Sequence, residues 1–168
     1  MKNYAIFAHS LKSDAKYFGF TKLAELAYNH EMASKQENID FVIVNAENSA
    51  GGMGITTKIF NDLIELKIDT ITMGNHTWGK KDIFSFIDNP KLIRPANYSK
   101  GVVGKGFGIY ECKGKKIGVI NLIGRINTGG SFDSPFTVAD KEIEKLKRDA
   151  ALEQKEEAGV LYFYIQKA

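Results

Sequence analysis

The sequence predicts an α/β protein built on a parallel sheet, and three stretches carry that prediction. "IDFVIVNAEN", residues 39–48, is a run rich in β-branched residues, of the kind found in strands buried on both faces. "ITTKIFNDLIELK", residues 55–67, places Ile59, Leu63 and Leu66 on one helical face. "DTITMGN", residues 69–75, reads as a second buried strand. Strand, helix and strand in that order form a crossover, the connection that joins parallel neighbours.

The remaining elements follow from local pattern. "YAIFAH", residues 4–9, reads as a short first strand. Residues 14–36 place Tyr17, Phe20, Leu23, Ala24 and Ala27 in the rhythm of an amphipathic helix. "GGMG", residues 51–54, turns the chain toward the 55–67 helix, for which Thr56 or Thr57 offers a cap. "KKDIFSFID" is a short helix, and "LIRPAN" a further strand with Pro95 and Asn97 at its polar exit. "GFGIYECKGKKIGVINLIG", residues 106–124, reads as a β-hairpin turning at Lys113 and Gly114. Residues 138–157 form a charged helix whose thin apolar stripe is Ile143, Leu146 and Ala150, its mixed charges making a solvated face. "AGVLYFYIQKA", residues 158–168, has strand composition but no partner downstream.

Bulk properties narrow the function classes. A chain of 168 residues suits one domain, and 43% hydrophobic with 26% charged residues is ordinary for a globular protein. A net charge of +3 does not call for a phosphate-rich polymer as partner, so strong nucleic-acid binding is not expected. Cys112 is the single cysteine, which excludes an intramolecular disulfide and suits a reducing cytoplasm. No apolar run reaches membrane-spanning length, and the first residues lack the apolar core of a secretion signal. The expected compartment is the cytoplasm, with no membrane association.

The chemistry gathers at two predicted strand ends. Glu47 and Asn75 lie 28 residues apart, about one crossover. A right-handed crossover brings "NAEN" and "GNH" out at the same sheet edge, where open α/β sheets hold their ligands. Cations that activate water on phosphate esters favour oxygen and imidazole donors, and a pair of ions needs a bridging carboxylate. Glu47 is the acid at a buried strand's end, while Asn48 and Asn75 offer neutral carbonyl oxygens. His76 adjoins them and suits a general acid that protonates a departing oxygen. Taken singly, each residue has a plainer use: an Asn after a strand is commonly a turn residue, Glu47 a solvated acid, and Trp78 a packing residue. It is their joint placement that points to a site. A P-loop, a dinucleotide fingerprint, a cysteine zinc site and a nucleophile elbow all fail on spacing.

"IDFVIVNAENSAGGMGIT", "ITMGNHTWGKKDIFSFID", "LIRPANY" and "KIGVINLIGR" together resemble the YmdB-like metallophosphoesterases of the calcineurin-like superfamily. That family is described as 2′,3′-cyclic-nucleotide 2′-phosphodiesterases. The resemblance runs over residues 39–150, the family-matching core of what reads as a single, incomplete domain over residues 1–168. It implies part of a four-layer α/β/β/α sandwich, with the C-terminal portion missing. It also implies two divalent metal ions, iron or manganese, and a small nucleotide substrate. On the matching positions Glu47 would bridge the metals, Asn48 would be an accessory ligand, Asn75 would bind the second metal, and His76 would donate the proton.

Departures accompany the resemblance. Family members open with a strand ending in Gly-Asp, whose Asp binds the first metal. Here His9 stands near that place and Asp14 several residues later. The family's later histidine-bearing segments have no counterpart, since His76 is the last histidine of the chain. The expected function is therefore two-metal hydrolysis of small cyclic nucleotides. The alternative is a catalytically impaired interaction module, or a homo-oligomer formed through exposed sheet edges. A third reading, RNA binding through Trp78, Lys80, Lys81 and Arg94, rests on few charges.

Overall fold

The computed structural model describes residues 39–126, 130–152 and 161–166. The strand expected over 4–9, the helix expected over 14–36 and the alternative ligands His9 and Asp14 lie outside the described residues.

Two sheets lie between helical layers. The first sheet is parallel and contains β1 (Ile43–Asn45), β2 (Thr70–Thr72) and β3 (Leu92–Ile93) in that order. Helix α1 (Thr57–Glu65) joins β1 to β2, and a 3-10 turn (Lys81–Ser85) precedes β3. The second sheet contains β4 (Phe107–Cys112), β5 (Lys115–Ile123) and β6 (Leu161–Gln166), with α2 (Pro135–Leu152) between the last two.

Alternation along the strands assigns the layers. On β2, Ile71 joins Phe60 and Leu66 in one core under α1. On β5, Ile120 and Leu122 pack with Leu146 of α2 in a second core. The intervening β5 residues Val119, Asn121 and Ile123 are equally buried and occupy the opposite face. That face meets the first sheet, since Asn121 Nδ2 donates to the carbonyls of Met73 and Ile93 at 2.6 and 3.1 Å. The described order is thus helix, sheet, sheet, helix.

Most local expectations hold, with instructive shifts. Thr56 is the cap, its hydroxyl accepting from the Ile59 N–H. The hairpin turns at Lys113 and Gly114, both with positive φ, 50° and 74°. The β-branched run before Ile43 does not extend β1 as expected. There the Asp69 carboxylate accepts from the Val42 N–H at 2.8 Å, taking the place of a ladder bond. The terminal strand composition finds its partner upstream: β6 pairs parallel with β5, from Gly118↔Leu161 to Ile123↔Gln166. The hairpin strand and the charged helix therefore form a second crossover, β5–α2–β6.

Candidate active site

The register of the first sheet sets the site. Ile43 pairs with Thr70 and Asn45 with Thr72, so both chains leave the sheet at one edge. Beyond β1 the chain turns through residues 47–54, and beyond β2 through residues 74–80.

These two loops touch through backbone, and glycine makes the contact possible. Gly54 has φ +73°, and a Cβ there would lie 2.9 Å from the Lys80 nitrogen and 3.1 Å from the Gly79 carbonyl carbon. The Gly54 N–H also donates to the Glu47 carbonyl at 2.6 Å, closing the first loop on itself. Gly54→Ala would combine left-handed backbone strain with a collision against a main chain that cannot rotate away. Gly51, with φ +68° and open space about its Cα, carries the strain alone. We expect Gly54→Ala to lose clearly more stability in urea than Gly51→Ala, whose cost is about 1–2 kcal/mol. Equal losses would mean that the loop contact is slack.

Within this frame three side chains form a relay. Glu47 is buried, with 4% of its surface exposed. Its Oε1 accepts from Asn48 Nδ2 at 3.2 Å, and Asn48 Oδ1 lies 2.7 Å from His76 Nδ1. An amide nitrogen facing a carboxylate leaves the amide oxygen for the imidazole, so His76 Nδ1–H donates to Asn48. In neutral His76 the other nitrogen, Nε2, is then unprotonated and open to take up and release a proton. The crossover expectation is realised here by Asn48 and His76, 28 residues apart in sequence and in direct contact.

One atom is left over. Glu47 Oε2 is buried with no hydrogen-bond partner among the described residues. A buried carboxylate oxygen without a donor is costly unless a cation meets it. Asn75, half-buried, stands on the second loop directly before His76.

The supports of the second loop are only partly legible in sequence. Thr77 Oγ1 donates to the Gly74 carbonyl at 2.6 Å, and the Tyr98 hydroxyl donates to the same oxygen at 3.2 Å. Burial holds the Tyr98 phenol above its ordinary range, Thr77 and Arg94 opposing and the Glu47 charge reinforcing the rise. Tyr98 therefore stays protonated and keeps its donor. Behind it, Asn97 donates to the Ile123 and Asp133 carbonyls and accepts from the Ile123 N–H. Asn121 is a support that strand pattern does not mark, although an amide inside "IGVINLIG" is itself a signal. Arg94, one of the cations of the RNA-binding reading, donates from Nε, Nη1 and Nη2 to the carbonyls of Val103, Pro95 and Val102.

Among the described residues, no three His, Cys, Asp or Glu side chains converge as a metal cluster. Nor is any described helix long and apolar enough to cross a membrane.

Comparison with known proteins places these features. A family profile described as "YmdB-like protein" matches residues 23–157. A Bacillus subtilis protein named 2′,3′-cyclic-nucleotide 2′-phosphodiesterase is 51% identical over 110 residues, covering 64% of this chain and 41% of its own length. A crystal structure of a hypothetical protein from Thermus thermophilus superposes with a TM-score of 0.64 at 30% identity, covering 76% of this chain and 46% of that one. A crystal structure described as a novel phosphatase from Mycoplasma pneumoniae gives a TM-score of 0.59 at 30% identity, with coverage of 82% and 48%. The chain spans about two fifths of the curated relative's length. Its mixed α/β architecture is part of the calcineurin-like phosphoesterase fold.

Proposed function

The chain belongs to the YmdB-like protein family, and on that footing we propose that it carries the proton-donating part of a metal-dependent phosphodiesterase site for small 2′,3′-cyclic nucleotides. The substrate class comes from the name of the Bacillus relative. The observation that carries the reading is the relay from Glu47 through Asn48 to His76, with one buried Glu47 oxygen left open.

The donors present suit a hard divalent cation, iron or manganese in the family reading. The Glu47 carboxylate would hold it, or serve both ions of a pair; the Asn75 amide would add a neutral oxygen, and Asn48 would add another through the lone pair its contact with His76 leaves free. Bound there, such a cation would polarise a phosphoryl oxygen and acidify a water. The chain's own residues do the rest. Asn48 fixes the imidazole and reserves Nε2 for proton transfer. In its imidazolium form His76 gives the Nε2 proton to the departing sugar oxygen as its bond to phosphorus breaks, while water supplies the replacing oxygen and releases a proton to solvent.

A second reading, a binding module without turnover, draws on the shortage of converging acidic and histidine donors among the described residues. Two ions ask for more donors than one carboxylate and two amides. Hydrolysis of 2′,3′-cyclic AMP with added manganese, run on the wild type and His76→Ala together, tests the enzymatic reading. Turnover by the wild type with loss in the variant supports it. No turnover in either protein removes the activity, and equal rates remove His76 from it.

A further inference from the structure

Beside the relay stands a row of aromatic rings that the phosphodiester chemistry leaves unused. Tyr98 contacts Trp78 with ring centroids 6.0 Å apart, and Trp78 stacks on Phe84 at 5.5 Å with an interplanar angle of 18°. The row begins at the site, since the Tyr98 hydroxyl is bonded to the Gly74 carbonyl two residues before His76. It ends in solvent, where Phe84 is 59% exposed. Met53, 49% exposed, lies across the loop contact against Gly79. Two large apolar side chains are thus held in water at the margin of a polar site.

Trp78 is the ring that the sequence singles out, yet one of its faces is covered by Phe84 and it packs partly into the first core. The open face belongs to Phe84. Packing on Trp78 uses one face of the ring, and with 59% of Phe84 exposed the rest stays in water. Half-buried Lys80 and exposed Lys81 adjoin it in sequence, and the intervening Asp82 carboxylate accepts from the Thr57 N–H and hydroxyl, so the balance of charge favours an occupant carrying negative charge. A flat aromatic group joined to an anion is the chemistry of a nucleotide, which holds its base one sugar away from its phosphate.

We propose that Phe84, backed by Trp78, is the stacking platform for the base of the nucleotide whose phosphate lies at His76. The identity of the ligand rests on the phosphodiesterase reading; the platform itself rests on the rings. Stacking on a π-face tolerates any base, so the platform would bind purine and pyrimidine nucleotides alike, purines more tightly for their larger area.

Trp78 is the single tryptophan of the chain, so its emission reports on this platform without any turnover. Titrating the full chain with adenosine, 2′,3′-cyclic AMP and inorganic phosphate should give saturable quenching with the first two and none with phosphate. Phe84→Ala, an exposed substitution, should weaken both base-bearing ligands about tenfold, and Phe84→Tyr should restore them. Quenching unaffected by Phe84→Ala, or absent with adenosine, overturns the platform and leaves the patch to another occupant such as a protein. Hydrolysis is scored separately. Base binding without turnover keeps the platform and loses the enzyme, whereas turnover without base binding does the reverse.

Discussion

His76→Ala is expected to lower kcat for 2′,3′-cyclic AMP by about 10²–10⁴-fold, the range a positioned general acid contributes. KM should move little, because the proton is transferred only as the sugar oxygen leaves. The structure makes the prediction specific to one nitrogen. With Nδ1–H committed to Asn48 Oδ1 at 2.7 Å, the proton that the imidazolium transfers is the one taken up at Nε2. Asn48→Ala should therefore lower kcat in the same direction but by less, since the imidazole remains and only its orientation is freed. Parallel kinetics of the two variants read this order. An Asn48→Ala loss exceeding that of His76→Ala would assign Asn48 a role beyond positioning the ring.

The largest stability effect is expected at Asn97. Its side chain is fully buried and makes three hydrogen bonds: to the Ile123 and Asp133 carbonyls at 2.8 and 3.0 Å, and from the Ile123 N–H at 2.9 Å. Asn97→Ala leaves the N–H and carbonyl of buried Ile123 without partners, and turns the carbonyl of exposed Asp133 to water. Each buried group left unpaired costs about 1–3 kcal/mol, so a total loss of about 2 kcal/mol or more is expected from urea unfolding. The effect should spread to the site, because Asn97 directly precedes Tyr98, whose hydroxyl holds the Gly74 carbonyl. A loss below about 1 kcal/mol would mean that these groups find other partners.

Sequence pattern carries the first crossover well. The apolar runs, the helical face between them and the 28-residue spacing suffice to bring the two loops to one edge, because parallel pairing leaves little choice. The hairpin turn is equally legible, since Lys113–Gly114 meets the backbone demand of a tight connection. The second crossover is not. The apolar stripe of α2 is thin, and the partner of β6 lies upstream rather than downstream, so no local signal joins them. The buried amides are hidden for a related reason. Asn121 reaches the Met73 and Ile93 carbonyls only because two sheets pack face to face, a relation no periodicity encodes.

Within the site, residue types are legible but their couplings are not. Asn48 reads as a metal donor from its place after Glu47, but its further contacts, oxygen to His76 and nitrogen to Glu47, have no signature in the sequence. Trp78 stands out by rarity, but exposure falls on Phe84, which no local pattern distinguishes from the other phenylalanines.

Manganese binding followed by electron paramagnetic resonance, on the wild type and Glu47→Ala, tests most directly whether the open carboxylate oxygen at the shared strand end is a cation site. Saturable uptake by the wild type that disappears in Glu47→Ala is the predicted result. Uptake that survives the substitution, or a wild type that takes up none, would contradict it.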